Sequence, residues 1–134
     1  MDNNTWNDLE VASEEIVMQS AKQFAEALAN TPQYKTFEQA YFTYRQDAGV
    51  QAAIEEFQKK QSSLKALLIL NAVSEKDREE LQILQEQFYH QLSVVQYTEA
   101  QEDLAKVCQE IGDLLSKTIG VDFGAACKTG GCCG

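Results

Sequence analysis

The chain has 134 residues, 44% of them hydrophobic, and 21 acids against 11 Lys and Arg give it a formal charge of −10. That is the length of one domain, with enough apolar content to fold rather than stay disordered. The acidity works against a direct nucleic-acid surface, which needs clustered cations, and neither the polar start "MDNNTWNDLE" nor the longest aliphatic run, "ALLIL" at 66–70, supplies a secretory signal or a membrane span.

A cytoplasmic protein is therefore expected, with no direct nucleic-acid contact and no membrane insertion. Breakers are few: before residue 120 the chain carries only Gly49, Gly112 and Pro32. Abundant Ala, Leu, Gln and Glu then predict long helices. The first covers about 9–30, with Leu9, Ala12, Ile16, Ser20, Phe24 and Ala27/Leu28 on one stripe and Ala21, Ala25 and Ala29 beside it for close packing. The first thirty residues hold six acids and one base, Lys22. This reads first as a solvated helix face and otherwise as a surface for a basic partner.

"NTP" at 30–32 ends this helix and starts the next, with Thr31 as N-cap and Pro32 at the first helical position. The second helix runs to about Gln46 and carries Tyr34, Phe37, Tyr41 and Tyr44 as an aromatic stripe, a core or interface feature at this spacing. Asp47 is the expected N-cap of a third helix, about 48–72, striped by Val50, Ile54, Phe57, Gln61, Leu64 and Leu68, with Gln61 read first as lying near the seam's edge and otherwise as an amide that fixes register between helices. Ser74 and Asp77 resemble a capping box opening a fourth helix, about 75–91, with Leu81, Leu84, Phe88 and Leu92 inward, Lys76 paired with Glu80, and His90 near its end. Ser93 is the expected cap of a fifth helix, about 94–119, on which Tyr97, Ala100, Leu104, Val107, Ile111, Leu114 and Thr118 repeat in steps of three and four. Cys108 lies beside that stripe and is expected as a small buried hydrophobe, and Gly120 as the helix stop.

The expected fold is all-α: an elongated bundle of about five helices built on a long antiparallel hairpin, residues 1–123, followed by a flexible Gly/Cys-rich tail, 124–134. Helices this long complete their burial against another chain, so a homo-oligomer, a dimer above all, or a hetero-complex with partner proteins is expected. The candidate partner surface is Phe57, Gln61, Leu64 and Leu68 with Leu84 and Phe88. Nucleotide-binding, nucleophile-elbow and zinc-protease motifs are absent, and neighbouring acids such as Glu55/Glu56 splay about 100° apart on a helix. No catalytic residue is assigned.

The stretches "AKQFAEALANTPQYKTFEQAYFTYRQDAGVQAAIEEFQKKQ" and "LQEQFYHQLSVVQYTEAQEDLAKVCQEIGDLLSKTIGVDFG" resemble the YlbF/YmcA family of bacterial regulatory proteins, the control of competence regulator family. The likeness rests on the Asp-led helix running into Phe57 and Gln61, and on the spacing of Val94, Tyr97, Ala100 and Leu104. The cysteine-rich end is similar to the YlbF branch. "LKALLILNAVSEKD" departs from the family by being more apolar at the hairpin joint. The resemblance implies a cytoplasmic, all-helical regulator that assembles with itself and with related proteins. It further implies a link to competence, biofilm formation and sporulation, to RNase Y-dependent mRNA processing and to iron–sulfur clusters. Cys127, Cys132 and Cys133, among glycines, are the candidate ligands of an iron–sulfur cluster, with zinc or no metal as alternatives. Such a site needs four ligands, so one must come from elsewhere. The competing functional reading is a structural helical oligomer with an exposed redox-active tail.

Overall fold

A computed structural model describes residues 12–129, with side chains from 12 to 126, and every regular element among them is an α-helix. The seven helices are α1 (Glu14–Ala29), α2 (Pro32–Gln46), α3 (Ala48–Ser63), α4 (Lys65–Ile69), α5 (Glu75–Tyr89), α6 (Leu92–Ile119) and α7 (Phe123–Thr129). Their starts follow local chemistry. Ser13 accepts the Ile16 N–H at 3.3 Å, Thr31 that of Tyr34 at 3.2 Å, and Ser74 that of Asp77 at 3.1 Å. Asp47 accepts from Gly49 and Val50 at 2.9 and 3.3 Å. Each side chain satisfies a backbone donor that the first turn leaves without an intrahelical partner.

Three predicted elements come out differently. The third helix does not run from 48 to 72: it stops at Leu64, a short α4 follows, and the chain turns at Asn71. Asn71 holds a left-handed backbone, φ 51°, while its N–H bonds the Leu68 carbonyl and the Ala72 N–H bonds that of Leu67. This is a Schellman stop made with asparagine instead of glycine. The last long helix starts at Leu92 with Gln91 at its N-cap, so Ser93 is inside it and caps nothing. Of the expected tail, 124–129 lie in α7, which is tied to α6 by a Phe123 N–H to Ser116 Oγ bond of 3.0 Å; 130–134 fall outside the described residues. Gly120 stops α6 at φ 77°, as expected.

The helices make two antiparallel pairs that follow one another along a hairpin: α2 packs on α6, and α3 on α5. Both arms break at the same level, Asp47 on one and His90–Gln91 on the other, giving the hairpin a waist. Its apex is α4 with the turn that follows. Two layers of helix bury little. Among the described residues the buried apolar side chains are Val50, Val94 and Ala100 toward the waist and Leu64 and Val73 beneath the apex, and of these Val50 is fully covered. The predicted stripe of α1 exists, but no residue of that helix is buried.

The surface area says the same. The chain exposes 11027 Å² at 15.0 kDa, where a compact monomer of that mass exposes about 7000 Å². Counting the sixteen undescribed terminal residues as if fully extended still leaves an excess of about 2000 Å².

Candidate functional site

Three constructions along the hairpin position its side chains. The first is the waist. The Ser93 hydroxyl is buried and donates to Asp47 Oδ2 at 2.6 Å, while Oδ1 of the same carboxylate caps α3. Gln91 Nε2 donates to the Gly49 carbonyl at 3.1 Å. A Cβ on Gly49 would stand 3.1 Å from Gln91 Oε1 and 3.2 Å from Asp47 Oδ1, tighter than ordinary contact. Bonds from Ser93 and from the Val50 N–H hold the Asp47 carboxyl below its ordinary value of 3.8, because each stabilises the charged form.

The second construction is aromatic. Tyr97 on α6 sits against the α2 stripe, its ring centre 5.0 Å from Tyr44, 5.6 Å from Tyr41 and 5.7 Å from Phe37. Phe37 also meets Tyr34 at 6.5 Å and stacks with Tyr41 at 6.2 Å. The stripe therefore packs against α6 within the hairpin, half-buried at Tyr34, Phe37 and Tyr44 and exposed at Tyr41.

The third is a groove of about 290 Å³ between α3 and α5, walled by Ile54, Phe57, Phe88 and Tyr89 and edged by Gln58, Gln61 and Gln85. It brings together three residues of the sequence-derived partner surface, Phe57, Gln61 and Phe88. Gln61 is exposed at its edge. The other three separate: Leu64 is buried under the apex, Leu84 is half-buried, and Leu68 is exposed on α4. Toward the apex, Lys60 Nζ bridges Asp77 at 2.7 Å and Glu80 at 2.5 Å. Glu80 thus pairs across the hairpin and not with Lys76, and Arg78 donates to Asn71 Oδ1 at 3.3 Å. Lys60 lowers the Asp77 pKa, and the two acids raise that of Lys60.

Cys108 is free and exposed, contrary to the expectation of burial. The reason is its place on the helix: Leu104, Val107 and Ile111 form the half-covered stripe of α6, and Cys108 stands beside it on the solvent side. Cys127 lies in α7, and Cys132 and Cys133 are outside the described residues. Among the described residues no three of His, Cys, Asp and Glu converge on a metal position. The thiols of the chain's end are chemically suited to iron–sulfur or zinc ligation. His90 ends α5 with Nδ1 2.6 Å from the Glu86 carbonyl, a local bond at the helix terminus.

Sequence reasoning missed the Asp47–Ser93 bond. Its only signal was that two capping-type residues stood at two breaks that the hairpin sets side by side. No described helix is long and apolar enough to cross a membrane. No curated protein and no solved structure matches the chain. Residues 17–120, which span α2 to α6 and most of α1, match the family described as control of competence regulator ComK, YlbF/YmcA. The chain belongs to this YlbF/YmcA family, a family of competence regulators.

Proposed function

We propose that this protein is a non-catalytic, cytoplasmic regulatory adaptor. It assembles through its helical faces with copies of itself or with related family members, and so acts on competence, biofilm formation and sporulation through RNase Y-dependent mRNA processing. The observation that carries the reading is the amount of patterned apolar surface the hairpin leaves uncovered. The α1 stripe, the α3/α5 groove and the end of α6, where Leu114 and Ile119 stay exposed beside α7, are all amphipathic elements with apolar side chains open to solvent. Such surfaces mark protein interfaces. Family membership supports the regulatory role.

In this reading Cys127, Cys132 and Cys133 supply thiolates to an iron–sulfur cluster, with zinc as the alternative, and a partner chain supplies the missing ligand. The cluster would make assembly sensitive to redox state. The test is affinity purification of the full chain, without oxygen, from cells holding other YlbF/YmcA members. Co-purification of those members, with iron and sulfide in the complex and loss of both metal and complex on replacing the three cysteines by serine, is the expected result. A complex that forms unchanged with the three serines removes the sensing role. A chain that captures no family member removes the adaptor.

A further inference from the structure

Two surfaces at opposite ends of the hairpin are left uncovered among the described residues. One is α1, which leaves α2 at the end far from the waist. Its Ile16, Val17, Met18 and Phe24 are all exposed, and Glu14, Glu15 and Glu26 outnumber its single Lys22. The other is the apex, the departure "LKALLIL" noted in the sequence. There Ile69 and Leu70 are 75% and 73% exposed, and Leu67 and Leu68 are exposed beside them. This is not a loose loop: the Schellman bonds, the Arg78–Asn71 bond and the buried Leu64 and Val73 fix the turn that presents these side chains.

The charges of the two surfaces are opposite. Residues 59–78 hold five of the chain's eleven bases but two of its twenty-one acids. One of those two, Asp77, is held by Lys60 and Ser74. Lys65 and Lys76 are exposed and make no ion pair among the described residues. Lys65 edges a recess with Leu68 and Ile69.

We propose that two copies of the chain dock antiparallel, the acidic helix α1 of each lying across the basic, aliphatic apex of the other. The inference rests on the oligomeric reading above and deepens it by naming the surfaces and their direction. Within one chain the two surfaces are a hairpin's length apart. A two-fold axis near the waist brings α1 to the partner's apex twice at once, an isologous and closed contact. Opposite charge then sets the direction, because parallel docking would place acid on acid at one end and base on base at the other.

The experiment is sedimentation velocity on the full chain with reductant present, so that thiol cross-links do not contribute. Glu14→Lys with Glu15→Lys, and separately Lys65→Glu with Lys76→Glu, should each weaken the dimer about ten-fold or more. An equimolar mixture of the two variants should restore it to within about three-fold, because each α1 then meets an apex of opposite sign. Since Glu14 and Glu15 also favour the first turn of α1, its helicity is checked by circular dichroism. Ile69→Asp with Leu70→Asp, at exposed positions, gives a second reading with the same expected loss. A dimer indifferent to both apex variants overturns the docking while leaving the adaptor reading in place. A wild-type chain that stays monomeric through the micromolar range overturns it too, and so does one that instead floats with anionic phospholipid vesicles through the apex.

Discussion

Replacing Tyr97 by alanine tests whether the aromatic cluster holds the α2–α6 half of the hairpin. The ring is half-buried and meets three others at 5.0–5.7 Å. Half of a tyrosine's usual burial is about 100 Å², or about 2.5 kcal/mol at 25 cal/mol per Å². Favourable ring geometry adds about 1 kcal/mol, and the released side-chain entropy returns somewhat less. Tyr97→Ala should therefore cost about 3 kcal/mol, a large share of a domain's typical 5–15 kcal/mol. Tyr97→Phe keeps the ring and should stay within about 0.5 kcal/mol. The assay is urea unfolding followed by far-ultraviolet circular dichroism at one fixed protein concentration, since self-association would otherwise shift the midpoint. A double-mutant cycle with Tyr44→Ala should show coupling of about 1 kcal/mol. If Tyr97→Ala costs under about 1 kcal/mol, or Tyr97→Phe costs as much as the alanine, the cluster is not what joins these helices.

Other consequences follow from the waist and the helix ends. Val50 has no exposed surface, so Val50→Ala should lose about 2 kcal/mol in the same assay. Gly120→Ala meets no neighbouring atom but must adopt φ 77°, which should cost about 1 kcal/mol through backbone strain alone and shows as a lower thermal midpoint. Asp47 and Asp77 both titrate below 3.8, so their contribution to stability is full above the ordinary carboxylate range and is lost as pH falls through their folded values. Urea midpoints should therefore drop from about pH 5 downward, and Ser93→Ala should flatten that acid limb by removing the largest cause of the Asp47 shift. Lys60 shifts the other way; its contribution is full below 10.5 and disappears as pH rises through its higher folded value, and Lys60→Met should remove that alkaline limb.

What the sequence revealed and what it hid divide along the range of the interaction. Caps and stops are local, so Thr31–Pro32, Asp47, Ser74 and Gly120 could be read directly and stand where expected. The stripe of Tyr34, Phe37, Tyr41 and Tyr44 was legible as a packing face because its period matches a helix, and it lies against Tyr97 without any of the four being fully covered. The break at Leu64 was not, because "SSLKALLIL" has good helical propensity throughout and the interruption is a single residue, Leu64, turned to φ −102° and ψ 1°. Ser93 was misplaced for a different reason. Its partner is 46 residues away across the hairpin, and nothing local distinguishes an N-cap serine from a buried one. Of the residues expected to share one surface, Phe57, Gln61 and Phe88 meet in a groove, but periodicity gave no means to tell Leu64, turned into the apex, from Leu68, turned out of it.

A two-layer hairpin cannot be held in register by its apolar stripe alone, since leucines and tyrosines on facing helices can slide by a turn at modest cost. The polar contacts are what exclude the slide. Ser93–Asp47 and Gln91–Gly49 fix the arms at the waist, and Lys60 between Asp77 and Glu80 fixes them again toward the apex. A shift of one turn, about 5.4 Å, would strand a buried hydroxyl at one place and separate a cation from two carboxylates at the other. Register in turn sets where the outward faces stand, because the groove between α3 and α5 exists only while Phe57 and Phe88 lie at matching heights. On the proposed reading, in which the chain presents helical faces to partners, these few polar bonds determine function more directly than their share of the stability indicates. Ser93→Ala and Lys60→Met should accordingly impair assembly with partners more than they lower the unfolding midpoint, whereas Val50→Ala should do the reverse. Partner binding measured at a temperature where all three variants are fully folded decides it. If binding instead falls in the order of lost stability, the register argument fails.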